Sequence, residues 1–149
     1  MKINYTEILK KNMINVFKDV LLNIEKNGLQ EGHHLYITFN TNNAKVKIPK
    51  WLQEKYPVEM TIVIQYEYWN FKIKNNSFNI GLSFEDIKTD LEISYNSVVS
   101  FADPYANFGL SLIPKIINKN NIKIKKSVKN KKKNFKKDNI IDFNNYKKN

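Results

Sequence analysis

The chain has 149 residues, of which 42% are hydrophobic, 13% aromatic and 26% charged; 25 Lys and no Arg stand against 14 acidic residues, for a net charge of +11. That length supports one domain of ordinary size, and the aromatic content is enough for a core. The absence of Cys excludes a disulfide scaffold, a zinc–thiolate site, an iron–sulfur cluster and a thiol nucleophile.

The first element is an amphipathic helix over residues 5–27. Leu9, Met13, Val16, Val20 and Ile24 recur at spacings of three and four, with Phe17 and Leu21 alongside. Asn4 and Glu7 have the spacing of a capping box, and Asn27-Gly28 is a stop signal. The apolar stripe is broad enough to bury wholly against the domain or partly against a second copy. After Gly32 the period falls to two. Strands are expected at 34–39, 46–48, 60–68, 69–73, 78–84, 91–95, 98–102 and 108–112, with a helical turn at 50–55 between Pro49 and Pro57. Turns are expected at Thr41-Asn42-Asn43, Asn75-Asn76, Glu85-Asp86 and Asp103-Pro104-Tyr105. One helix followed by short, closely connected strands indicates a mainly β, α+β domain, an antiparallel barrel or sandwich.

Charge divides the chain. Residues 1–112 hold 12 Lys and 12 acidic residues, so the excess lies beyond them: 13 Lys against Asp138 and Asp142. A domain at 1–112 is therefore electrically balanced. A Lys- and Asn-rich linker at 113–139 is expected to be disordered, because like charges repel and solvate. The last segment, 140–149, changes character again. Ile140, Ile141, Phe143 and Tyr146 place four large apolar side chains within seven residues. That is either a short docking peptide after a spacer or a chance cluster in an Ile- and Asn-rich chain.

Catalytic constellations are scarce. His33 and His34 are neighbours on a strand and point to opposite faces, so they do not readily share a metal; one buried and one exposed ring is the plainer expectation. No spacing suggests a nucleophilic triad, and Gly28, Gly32, Gly81 and Gly109 form no phosphate-binding loop. Neither an enzyme nor a cofactor is expected. No apolar run reaches the roughly 18–20 residues of a membrane span, and no secretory pattern follows Met1, so the expected location is the cytosol. The aromatic density between Tyr66 and Phe108 leaves two readings open: all core, or partly the wall of a peptide groove, with the Gln65 amide serving backbone groups.

Several separated motifs share one resemblance. Gly32-His33-His34-Leu35-Tyr36-Ile37-Thr38-Phe39 is followed by Tyr56-Pro57-Val58-Glu59-Met60 and Gln65-Tyr66-Glu67-Tyr68-Trp69. Then come Gly81-Leu82-Ser83-Phe84 and Phe101-Ala102-Asp103-Pro104-Tyr105-Ala106-Asn107-Phe108-Gly109-Leu110. In this order they resemble the alphaproteobacterial branch of the SspB family, the stringent starvation protein B adaptors of the ClpXP protease. Ile140-Ile141-Asp142-Phe143-Asn144-Asn145-Tyr146-Lys147-Lys148 resembles that family's ClpX-binding motif.

The resemblance implies a small Sm-like barrel, a homodimer formed through the N-terminal helix (Leu9, Met13, Val16, Phe17 and Val20), and a groove for the ssrA degradation tag at Gln65, Tyr66, Phe84, Phe101 and Phe108. It also implies docking on the N-terminal zinc-binding domain of ClpX through Ile140, Ile141, Asp142, Phe143, Tyr146 and Lys147. A rival reading is an RNA-binding Sm-like barrel with a basic tail. A neutral barrel without Arg lacks planar bidentate contacts to bases or phosphates, which leaves only non-specific tail contacts. A membrane-surface role for Ile116, Ile117, Ile122 and Ile124 ranks lower still, because they form no clean helical stripe.

Overall fold

The computed structural model describes residues 2–113; the expected linker and docking peptide therefore lie outside the described residues, apart from Ile113. The helix α1 runs Tyr5–Asn27. Its start follows the capping signal: the Glu7 N–H donates to Asn4 Oδ1 at 3.0 Å. Its end comes where the Gly28 N–H donates to the Ile24 carbonyl. The strands are β1 (Leu35–Asn40), β2 (Glu59–Ile64), β3 (Trp69–Ile73), β4 (Ser77–Phe84), β5 (Ile87–Ser94), β6 (Val98–Asp103) and β7 (Phe108–Ser111), with a short helix α2 (Lys50–Lys55) before β2.

All strand pairs are antiparallel. They form a four-stranded sheet ordered β2-β1-β6-β7 and a three-stranded sheet ordered β3-β4-β5. The fold is mainly β, of the α+β class. The two sheets are separate in their strand pairing, so the architecture is a sandwich rather than the closed Sm-like barrel that the resemblance implied.

Three expected strands change their limits. The stretch at 60–68 stops at Ile64, and residues 65–68 carry the chain from one sheet to the other. The expected 46–48 strand reduces to a single antiparallel bridge between Lys47 and Glu92, closed by both backbone hydrogen bonds. β5 begins at Ile87 instead of 91, because Glu85 and Asp86 both adopt positive φ and make a two-residue hairpin turn.

The core lies where α1 enters between the sheets. The Phe17 ring meets Phe78 of β4 at 5.8 Å, Phe101 of β6 at 5.1 Å and Tyr95 at 6.3 Å. Leu21 and Ile24 follow it inward along the same helical face, against Ile37, Phe39, Ile62 and Ile93 in one buried cluster. Phe17 is thus committed to its own domain, not to the helix face expected to meet a second copy. On the outer side of β4, Gly81 pairs with Trp69, and a Cβ there would lie 2.1 Å from the indole Nε1. The ring needs that missing side chain to lie across the sheet, where Lys88 reaches over it.

Burial pushes the Tyr95 hydroxyl up to about 12, and the hydroxyl donates to the Lys74 carbonyl. Below about pH 10 the hydroxyl is neutral in both folded and unfolded chains. Between about pH 10 and pH 12 the unfolded chain ionises first and draws the equilibrium toward itself. Stability is expected to fall across that window, and Tyr95→Phe should lose less of it than the parent chain. Urea unfolding of both proteins at pH 9 and pH 11 checks this.

Candidate functional site

The same helix that closes the core with one face opens a groove with the next. Val16 and Val20 on α1 face Phe108 on β7, with Phe101 and Leu35 beneath; the space between them is about 700 Å³. This is the size range of a binding cleft. Phe101 is 2% exposed and forms floor, whereas Phe108 at 44% and Val16 at 44% meet water. The Phe101 and Phe108 rings lie 5.8 Å apart. Polar groups sit around this apolar lining: the amides of Asn23, Asn27 and Gln30, the carboxylates of Asp19 and Asp103, and His33. Apolar walls with amides at the edge suit a peptide, whose side chains and backbone need one of each.

One end of the groove is held by a hydrogen-bonded corner. His33 Nδ1 donates to Asp103 Oδ2 at 2.6 Å, and Tyr105 lies over the imidazole at 4.5 Å between ring centroids. The other Asp103 oxygen accepts from the Ala106 N–H and caps the 3-10 turn Pro104–Ala106. Asn107 then turns the chain in a left-handed conformation at φ 54°, and the next residue is Phe108. Gly32 is favoured on two counts. Its φ is +86°, and a Cβ would stand 3.1 Å from the Tyr105 ring. The corner thus sets where Phe108 stands.

Four of the five expected groove residues gather at this end of the four-stranded sheet. Phe101 and Phe108 line the groove itself. Gln65 and Tyr66 lie on the crossover after β2, which leaves the sheet opposite Leu35; Tyr66 is 79% exposed and meets the His34 ring edge-on at 5.9 Å. Because residues 65–68 are not strand, the alternation that separated Gln65 from Tyr66 does not apply: both are exposed. Phe84 stands apart. It packs half-buried at the β4–β5 turn, where Glu85 pairs with Lys55 of α2. α2 leads into the start of β2, while Gln65 follows its end.

The rest of the expected set divides by position. Val16 and Val20 line the groove, and Leu9 is exposed on the preceding turns; Met13 is half-buried against the core. The docking residues from Ile140 to Lys147 lie outside the described residues. Neither histidine is wholly buried or wholly exposed: both are half-buried, and His34 Nε2 is buried without a hydrogen-bond partner among the described residues. Among the described residues no cluster of three His, Asp or Glu could hold a metal. No helix among them is long and apolar enough to cross a membrane.

Asp19, Asn23 and His33 were not anticipated as groove residues. The signal for the first two was present, since 16, 19, 20, 23 and 27 form one helical stripe. The His33–Asp103 pair spans 70 residues and had no local signal.

A peptide-sized apolar groove beside the edge strand β7 describes a binding domain. The family model of stringent starvation protein B matches residues 7–146, nearly the whole chain, and the chain belongs to that family. Membership implies an adaptor-type role at the ClpXP protease; the family is one of adaptors rather than a known enzyme family. No curated protein matches the chain.

Asp103→Ala removes both the His33 hydrogen bond and the cap on residues 104–106. It is expected to cost about 1–2 kcal/mol and to loosen the β6–β7 corner. Chemical denaturation measures the first effect, and amide exchange at Ala106 and Phe108 the second.

Proposed function

We propose that the protein delivers ssrA-tagged polypeptides to the ClpXP protease, binding the tag in the α1–β7 groove and docking on ClpX through its C-terminal tip. The observation that carries the reading is the span of the family match. It runs from the helix through the groove strands and on to residue 146, and so includes Ile140, Ile141, Asp142 and Phe143. Phe101 and Phe108 receive the apolar side chains of the tag. Gln65 and Tyr66, on the crossover at the same end of the sheet, meet its continuing backbone. Phe84 is too far along the fold to share that groove and takes no part.

The tip, with Tyr146 and Lys147, binds the N-terminal zinc-binding domain of ClpX. Dimerisation falls to the first turns of α1. Tyr5, Ile8 and Leu9 are exposed there, and the buried helix residues begin only at Phe17. Val16 and Val20 are then left to the groove. The protein acts in the cytosol, and nucleic acid meets at most its lysines.

The physical gain is effective concentration. A flexible chain of 27 residues would span about 5–6 Å × √27, or roughly 30 Å, and repulsion between lysines would extend it. A tag held on that tether reaches ClpX at an effective concentration of millimolar order. The apparent KM for degradation falls, and no bond is made or broken by the adaptor.

Phe108→Asp and Gln65→Lys alter exposed positions and are expected to weaken a fluorescent ssrA peptide by about tenfold or more while leaving the unfolding curve in place. A scrambled peptide serves as control, and unchanged affinity in both variants would remove the groove from tag recognition. Deleting residues 138–149 should leave that affinity undiminished and abolish the stimulation of ClpXP degradation at low substrate concentration. Tag binding lost together with the stimulation would count against two separable ends.

A further inference from the structure

We infer that, when no client is bound, the α1–β7 groove is filled by the chain's own C-terminal tip, residues 140–148, so that one segment both docks on the protease and closes the client site. The inference rests on the groove being the client site. It follows from chemistry, charge and the place where the described chain ends.

The groove has an apolar occupant's shape but none among the described residues: Val16 and Phe108, each 44% exposed, leave its walls open to water above the buried Phe101. Its two carboxylates differ. Asp103 is held by His33, whereas Asp19 has no ion pair or hydrogen bond among the described residues. A fitting ligand is therefore a short apolar run followed by a positive charge. Ile140, Ile141, Phe143 and Tyr146, followed by Lys147 and Lys148, have that order. The Lys-rich stretch before them has the charge without the aromatic density.

Attachment favours the same occupant. β7 begins with Phe108 in the groove wall and ends at Ser111, roughly 10 Å further on at about 3.4 Å per residue. The chain thus leaves the domain beside its own groove, and 27 linker residues with a reach of roughly 30 Å return the tip at millimolar effective concentration. A tip with an intrinsic Kd of about 0.1 mM would then fill about nine grooves in ten and weaken client binding about tenfold. Capture of the tip by the protease removes that competition. By linkage, client and protease then strengthen each other's binding. The adaptor becomes most receptive when it is already docked.

The chain contains no cysteine, so Glu31→Cys with Asn149→Cys places two spin labels in the full-length protein and nowhere else. Glu31 is exposed and lies beside the groove lining without belonging to it. Pulsed dipolar spectroscopy is expected to show a narrow distance component well below the roughly 30–36 Å of an unrestrained 36-residue tail. Ile141→Ser with Phe143→Ser should abolish that component, and excess ssrA peptide should displace it.

A broad distribution in the unbound protein, unchanged by the tip substitutions, overturns the proposal and leaves the groove reading intact. A short component that disappears on dilution with unlabelled chain assigns the groove to a second copy's tip, and overturns docking in cis. A short component that ssrA peptide fails to displace keeps the tip in the groove but places the client elsewhere, which overturns the gating and the proposed client site together.

Discussion

Through Phe17 the helix reaches both sheets. Its ring touches Phe78 in the three-stranded sheet and Phe101 in the four-stranded one. Two separate sheets with apolar inner faces need something to close the gap between them, and α1 supplies it with Phe17, Leu21 and Ile24. Burying an aromatic ring of this size is worth several kcal/mol, and its loss about 3–5. The groove depends on the same insertion. A helix whose 17, 21 and 24 face is driven inward must turn its 16, 20 and 23 face toward β7. The core and the groove are adjacent sides of one helix, set by one rotation.

That dependence explains why the groove is open while the rest of the domain is closed. The wall formed by α1 is positioned by burial. The wall formed by Phe108 is positioned by a polar corner, with His33 bonded to Asp103 and Tyr105 lying against both His33 and Gly32. Two rigid walls set from different directions leave a gap that neither can close. Beside it, residues 1–112 are charge-balanced and the residues after them strongly cationic; in the proposed function the first part would recognise by shape and apolar contact and the second would supply reach.

Local signals were legible wherever a residue's role depends on its neighbours in sequence. Asn4 and Gly28 mark the ends of α1, Pro49 and Pro57 bracket α2, and Asn75-Asn76 turns β3 into β4. The aromatic pattern also suggested a groove, and Phe101 and Phe108 lie in it. The misreadings share one cause. Residues 60–68 alternate like a single long strand, yet β2 ends at Ile64 because the chain must cross between sheets there. Val46 and Ile48 have strand propensity but find a partner at Lys47 alone. Phe17 belongs to the same stripe as Val16 and Val20, and no spacing within the stripe says which member faces the core.

Sequence alone determined the fold class, the order of the elements, the gathering of the net positive charge beyond residue 112, and the family resemblance. Each rests on periodicity, capping, composition or motifs read directly along the chain. Tertiary structure alone decided that the sheets form a sandwich, that Gln65 and Tyr66 stand on a crossover, and that Phe84 lies away from Phe108. It also decided that His33 holds Asp103 across 70 residues of chain. These are relations between distant segments, and they exist only once burial of Phe17 has fixed how the helix and the two sheets lie against one another.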